Sequence, residues 1–226
     1  SEGNAYRYTV SEDIVNGYQS SYDQANYKVT NTLYTKDLSG VKEWADQNDL
    51  YELRPESVVI KIMNGSTEVT SVTAYASSGW TWEVKGLPKF DKATGNEITY
   101  TVSEVPANGY TAVVTGIELK NVLETIDLEG DKEWIGDAGY EQSSRPEQIT
   151  VTATSSDAEG QFTKTVTTTA DDDWYWIIED LPKFYADGTE VVYVVTEAPV
   201  AGYENTGIEQ NEDGLYIIEN TVETTE

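Results

Sequence analysis

Three stretches of this chain place a polar residue inside an apolar row that repeats at every second position, and all three recur in the second half. Leu38, Gly40, Lys42 and Trp44 are matched by Leu128, Gly130, Lys132 and Trp134. Ile98, Tyr100, Val102 and Glu104 are matched by Val191, Tyr193, Val195 and Glu197. Ile117, Leu119, Asn121 and Leu123 are matched by Tyr216, Ile218, Asn220 and Val222. A period of two belongs to a strand with one buried face, because successive side chains point to opposite sides. The lysine, glutamate and asparagine are therefore expected to face the same interior as their apolar neighbours. Burying an ion is costly unless something compensates it. Repeating that cost at equivalent places predicts that the three groups meet and react.

The repetition extends beyond the trio. Gly40-Val41-Lys42-Glu43-Trp44 recurs as Gly130-Asp131-Lys132-Glu133-Trp134, and Arg54-Pro55-Glu56 as Arg145-Pro146-Glu147. Trp80-Thr81-Trp82 recurs as Trp174-Tyr175-Trp176, Leu87-Pro88-Lys89-Phe90 as Leu181-Pro182-Lys183-Phe184, and Gly109-Tyr110 as Gly202-Tyr203. A partial third copy opens the chain: Tyr8–Glu12 matches Tyr100–Glu104, Gly17-Tyr18 matches Gly109-Tyr110, and Asn31 matches Asn121. The expected organisation is residues 1–32 as the C-terminal strands of a truncated repeat, then complete repeats over 33–123 and 124–226. No helical period is convincing. About seven short strands in each repeat of roughly ninety residues predict an all-β chain of tandem two-sheet sandwiches. Asn64-Gly65 reads as a two-residue hairpin loop. The stretches between repeats lack Gly and Pro and read as stiff joints. Residues 1–32 alone should be marginal, frayed or completed by another chain.

Composition narrows the chemistry. There is no cysteine and no histidine among the 226 residues, which removes thiol catalysis, disulfide staples, the usual zinc ligands and the usual general base. With 14 Lys+Arg against 41 Asp+Glu, the net charge is −27. Such a surface repels nucleic acid and anionic membranes, and no apolar run approaches a bilayer span. No signal peptide opens the sequence, so it reads as a mature or excised fragment. No cofactor is expected.

Taken together, the Lys-x-Trp strand, the Arg-Pro, the Trp-rich strand, Leu-Pro-Lys-Phe, Tyr-Thr-Val-x-Glu, Gly-Tyr and the closing Asn strand resemble the B-type repeat of Gram-positive collagen adhesins and pilins. The order of motifs, present twice, covers essentially the whole chain. The resemblance implies an Ig-like, prealbumin-like sandwich that stiffens an adhesin stalk. It also implies an intramolecular isopeptide bond between first-strand lysine and last-strand asparagine, assisted by glutamate. Mapped here, these bonds are Lys42–Asn121 with Glu104 and Lys132–Asn220 with Glu197. Glu12 and Asn31 are the equivalents without an available lysine, since Lys28 and Lys36 lie too close along the chain to Asn31. Implied partners are neighbouring repeats and a host or cell-surface ligand bound through a head domain outside this chain. The implied location is the wall-anchored surface of a Gram-positive bacterium, although the sequence carries no wall-sorting motif.

The residues support a physical route to that bond. An amine attacks an amide only when neutral, and burial beside Trp44 or Trp134 disfavours the ammonium. Burial also keeps a carboxyl protonated, so Glu104 or Glu197 can donate to the asparagine oxygen and pass protons to departing ammonia. The blander reading of each trio is a buried Lys–Glu ion pair with a hydrogen-bonded asparagine. The tryptophan pairs read as core, with a sugar-binding shelf as the competing reading. Asp171-Asp172-Asp173 reads as a solvated loop before a calcium site, and Asn64-Gly65-Ser66 is a glycosylation sequon that the hairpin already explains. The function expected is a stalk without enzymatic turnover. The alternatives are a matrix- or carbohydrate-binding module and an accessory domain of a secreted enzyme.

Overall fold

The structure, a computed structural model, describes residues 3, 5–137, 145–157 and 160–223. The described residues form strands with two short 3-10 turns, and the chain divides into two compact units. Among the described residues no helix is long and apolar enough to cross a membrane.

The first set is a hairpin of β1 (Tyr18–Asp23) and β2 (Lys28–Leu33), followed by β3 (Thr35–Ala45), β4 (Ser57–Asn64), β5 (Thr67–Tyr75), β6 (Thr81–Pro88), β7 (Tyr100–Glu104), β8 (Tyr110–Thr115) and β9 (Glu118–Leu123). Strands β6-β3-β9-β8 form one sheet and β5-β4-β7 the other. The second set is β10 (Thr125–Ile135), β11 (Gln148–Ser155), β12 (Thr163–Thr169), β13 (Tyr175–Pro182), β14 (Tyr193–Glu197), β15 (Tyr203–Gln210) and β16 (Tyr216–Val222). Its sheets, β13-β10-β16-β15 and β12-β11-β14, repeat the same order. The all-β, two-sheet expectation is met, with seven strands in each sandwich.

One pairing governs where the polar trio lies. The first strand of each sandwich runs parallel to its last: Lys42 sits opposite Leu119 and Trp44 opposite Asn121, while Lys132 sits opposite Ile218 and Trp134 opposite Asn220. Parallel neighbours need a long crossover, and here the crossover is the remainder of the sandwich. Residues that are far apart in sequence are thereby brought side by side. The inward rows pack on an apolar interior that includes Ile60, Ile62, Trp82, Val102 and Leu119 in the first sandwich. Ile149, Val151, Trp176, Ile178 and Ile218 are buried in the second.

The glycine of Gly-x-Lys-Glu-Trp has a packing reason. A Cβ on Gly40 would lie 2.8 Å from Cζ2 of Trp82, and one on Gly130 would lie 2.6 Å from Cζ2 of Trp176. The indole of the Trp-rich strand thus covers the first strand two residues before the lysine. The other tryptophan of each pair is buried as well, by a different route. Trp80 and Trp174 adopt left-handed backbone angles, with φ of 64° and 61°, immediately after a 3-10 turn. This turns Trp80 against Trp44, with ring centroids 4.9 Å apart, and Trp174 against Trp134 at 5.0 Å. The tryptophans are core residues, as the alternation predicts.

Three expectations need correction. Asn64 is the last residue of β4 and pairs with Thr67, so the hairpin loop is Gly65-Ser66, with Gly65 supplying the positive φ. Ile117 precedes β9 and is exposed, so its inward row begins at Leu119. Tyr8–Glu12 forms no strand. Its counterparts β7 and β14 are held by β4 and β11, and residues 1–32 hold no counterpart of those strands. The side chain of Gln24 substitutes locally, donating to the Val10 carbonyl at 2.9 Å and accepting from the Val10 amide at 2.8 Å. Tyr6, Tyr8 and Ile14 remain exposed.

Filling the space above the first strand should be costly. Gly40→Ala and Gly130→Ala are each expected to lose about 1–3 kcal/mol by overpacking. Gly130→Ala should lose more, because its Cβ would also lie 2.3 Å from the backbone oxygen of Tyr216, which cannot rotate away. Denaturant titration of the two variants measures both the loss and its order.

Candidate functional site

Each sandwich buries one lysine and one asparagine and covers one glutamate side chain, with the lysine and the glutamate in contact. In the first, Lys42 is 1% exposed and Asn121 is fully buried. The Glu104 side chain is fully covered and lies 3.5 Å from Lys42 Nζ through Oε2. Asn121 Nδ2 donates to the other carboxyl oxygen, Oε1, at 2.8 Å. Glu104 therefore bridges the amine and the amide. Lys42 Nζ also donates to the carbonyl of Glu43 at 2.9 Å and stands 4.2 Å from the centroid of the Trp44 ring.

The second sandwich repeats the arrangement with a difference. Lys132 is 5% exposed and Asn220 1% exposed. Lys132 Nζ lies 3.8 Å from Glu197 Oε1, donates to the carbonyls of Glu133 and Ile218 at 3.0 Å each, and faces the Trp134 ring at 4.7 Å. Glu197 Oε2, however, accepts from Asn205 Nδ2 at 3.1 Å. In both sandwiches the asparagine oxygen, Oδ1 of Asn121 and of Asn220, is buried without a hydrogen-bond donor.

The electrostatics follow from burial. Removal from water pushes the Glu104 carboxyl above its ordinary range, against the opposing pull of the Asn121 hydrogen bond and the Lys42 charge. Burial lowers the Lys132 amine to about 8, with Glu197, Glu219 and Glu133 acting in the opposite sense. Both shifts favour the uncharged forms. The first shift favours a neutral acid in one sandwich and the second a neutral amine in the other, and either beside an unsatisfied amide oxygen suits acyl transfer.

The opening segment brings the third pair together. Asn31 Nδ2 donates to Glu12 Oε1 at 3.0 Å, the same contact that Asn121 makes with Glu104. The Ser20 hydroxyl lies 2.8 Å from Asn31 Oδ1 and 3.2 Å from Glu12 Oε2. Glu12 and Asn31 are exposed, unlike the members of the complete trios.

Sequence reasoning missed a network around a buried aspartate. Asp46, two residues beyond Trp44, accepts from Arg54 Nε at 2.7 Å and Nη2 at 2.5 Å, and from the Tyr110 hydroxyl at 3.1 Å. Burial alone would raise the Asp46 carboxyl, but the hydrogen bonds from Arg54, the Asp49 amide and Tyr110, together with the Arg54 charge, outweigh it and hold the group low. Arg145 repeats the contact on Asp137 at 2.6 Å. This gives the Arg-Pro and Gly-Tyr motifs a purpose: both supply donors to one aspartate. The recurrence of an aspartate shortly after each first-strand tryptophan, two residues on at Asp46 and three at Asp137, was the available signal.

Among the three consecutive aspartates, Asp172 accepts from the Thr169 amide at 3.1 Å and the Thr169 hydroxyl at 2.7 Å, capping a 3-10 turn. Among the described residues, no three acidic side chains are grouped to hold a metal ion.

The depressed Lys132 amine makes a pH prediction. In Asn220→Ala the unfolded chain binds a proton at Lys132 between about pH 8 and 10.5 that the folded chain does not. Stability should therefore rise with pH across that window, with a slope approaching about 1.4 kcal/mol per pH unit, and the penalty should be full below about 8. Adding Lys132→Met should flatten this rise. Urea midpoints of the two proteins at stepped pH check the difference and cancel the tyrosine titrations common to both.

Comparison with known proteins agrees with the motif order. The model of the Cna protein B-type domain matches residues 1–32, 38–122 and 128–221. The collagen adhesin of Staphylococcus aureus is 30% identical over 213 residues, covering 89% of this chain. The chain spans 17% of that adhesin's length. The crystal structure of two B repeat units of the S. aureus collagen binding protein is 26% identical, covering 99% of this chain and 60% of that one at a TM-score of 0.42. The major pilin (T-13) of Streptococcus pyogenes is 14% identical, covering 83% of this chain and 97% of that one at a TM-score of 0.36. With the family model matched across nearly the full sequence, and a lysine, a glutamate and an asparagine buried in the interior of both longer matches, the chain belongs to the Cna protein B-type domain family.

Proposed function

We propose that the chain is a load-bearing stalk segment of a surface adhesin or pilus-like protein, locked by two self-formed Lys–Asn isopeptide bonds. The observation that carries this reading is a buried lysine, a covered glutamate and a buried asparagine in each sandwich, with Glu104 bridging Lys42 and Asn121 in the first. The reading takes residues 33–123 and 124–226 as complete repeats and 1–32 as part of another. Glu12 and Asn31 are, in this view, the acid and amide of a trio whose lysine lies outside the present sequence.

The step is an amide exchange. The neutral Nζ of Lys42 attacks Cγ of Asn121, and the developing charge on Oδ1 takes a proton from Glu104. The tetrahedral centre then expels Nδ2 as ammonia, with Glu104 relaying the proton that the lysine nitrogen gives up. One C–N bond forms, one breaks, and the carboxyl returns to its starting state. Lys132, Asn220 and Glu197 do the same. Folding supplies the encounter: well-oriented groups reach effective molarities of about 10⁵–10⁸ M. The reaction occurs once per site, so it is maturation without turnover.

The position of the bond gives it mechanical meaning. Lys42 and Asn121 lie on the first and last strands, which are parallel neighbours. A covalent link there carries tension past residues 43–120, which would otherwise release roughly 260 Å of chain. On the loop-entropy account used for disulfides, such a closure contributes about 4 kcal/mol. A cysteine-free chain gains a staple that reductants do not cut. The head that binds a ligand, the wall attachment and the neighbouring repeats belong to the longer protein in this proposal. The burial of Trp80, Trp82, Trp174 and Trp176 leaves no aromatic shelf from these pairs and disfavours the carbohydrate-binding alternative.

Intact-mass measurement tests the proposal. Each bond expels ammonia, so the mature chain should weigh about 34 Da less than its sequence. Glu104→Ala and Glu197→Ala should each restore about 17 Da, with the heavier protein unfolding at lower temperature. Full sequence mass in the unaltered protein would end the covalent reading.

A further inference from the structure

The residue two positions after each Gly-Tyr differs among the three copies: Ser20 after Gly17-Tyr18, Ala112 after Gly109-Tyr110, and Asn205 after Gly202-Tyr203. In the strand register this position faces the asparagine, Ser20 opposite Asn31 and Asn205 opposite Asn220. What stands there decides what the glutamate touches. With Ala112, Glu104 Oε1 accepts from the reactive amide of Asn121 itself. With Asn205, Glu197 Oε2 accepts from the neighbour's amide, and the Lys132 amine stands at 3.8 Å, compared with 3.5 Å for Lys42. A β-bulge between Asn205 and Gly207 adjusts the strand beside it.

We propose that Asn205 is a positioning residue that restrains Glu197 and makes the Lys132–Asn220 bond the slower of the two to form. This rests on the isopeptide reading above. An N–H donated to a carboxyl group stabilises its ionised form, whereas the reaction needs the acid. The same hydrogen bond holds one carboxyl oxygen toward Asn205, so its proton reaches Asn220 less directly. The first sandwich, with a methyl group at this position, has neither restraint. The ionisable groups acting on the second site are Lys132, Glu197, Glu133 and Glu219, and none of them is altered by substituting Asn205. The chain would then mature in a set order, with the first sandwich closed before the second.

Cell-free synthesis of the whole chain, sampled over time, quenched in acid and digested, allows the two crosslinked peptides to be followed separately by mass spectrometry. In the unaltered protein the Lys42–Asn121 peptide should appear first. Asn205→Ala, which installs the residue used in the first sandwich, should speed the second bond by about tenfold, and Ala112→Asn should slow the first by a similar factor. Across a pH series, Asn205→Ala should move the alkaline decline of the second reaction to higher pH, since the amide donor to the carboxyl is removed. A change in packing alone would not move that limb. Equal rates for the two bonds in the unaltered protein, or rates and pH profiles unchanged in both variants, would overturn the role of Asn205 while leaving the crosslinks in place. Absence of both crosslinked peptides would overturn this role together with the stalk reading.

Discussion

The interior of each sandwich encloses an amine and a carboxyl with no access to water, and the surrounding architecture is organised around that burial. The side chains of Lys42 and Glu104 are wholly covered. In such a place the charged forms lose hydration that one 3.5 Å contact does not replace. The site therefore pushes its members toward neutrality, up for Glu104 and down for Lys132. A permanent ion pair would be a poor use of this environment. Neutral groups able to exchange an acyl bond and leave an uncharged amide are the chemically consistent occupants.

Delivering those groups depends on the parallel pairing of the first and last strands. That pairing is held from above by an indole resting on a glycine, Trp82 on Gly40 and Trp176 on Gly130. It is flanked by a second indole brought in through a left-handed residue after a 3-10 turn. Beyond the tryptophan, an aspartate gathers an arginine and a tyrosine hydroxyl, Arg54 and Tyr110 on Asp46 and Arg145 and Tyr203 on Asp137. The family motifs thus share one purpose. They fix the first strand against the last at the height where lysine, glutamate and asparagine meet.

The three copies differ in how far this arrangement is completed. The opening segment keeps the glutamate–asparagine contact with Ser20 against both, yet leaves them exposed because its own sheet lacks the neighbouring strands. The first complete sandwich joins acid and amide directly. The second interposes Asn205, a residue on an edge strand that reaches the buried carboxyl. A single position beside the site is enough to change which hydrogen bond the glutamate accepts, without disturbing the surrounding core.

The sequence by itself determined the strand class, the duplication, the inward rows and the members of the trio, because a period of two fixes which side chains share a face. It could not place Ile117 or the hairpin loop to the residue, since alternation does not mark where pairing starts or which two residues turn. Tyr8–Glu12 carries strand-like sequence, yet it is no strand, because a strand needs a neighbour that residues 1–32 do not hold. Only tertiary structure decided that Glu104 touches Asn121 while Glu197 touches Asn205, and that Asp46 unites Arg54 with Tyr110. Those contacts join residues from different strands, and their distances depend on register and packing that no local pattern encodes.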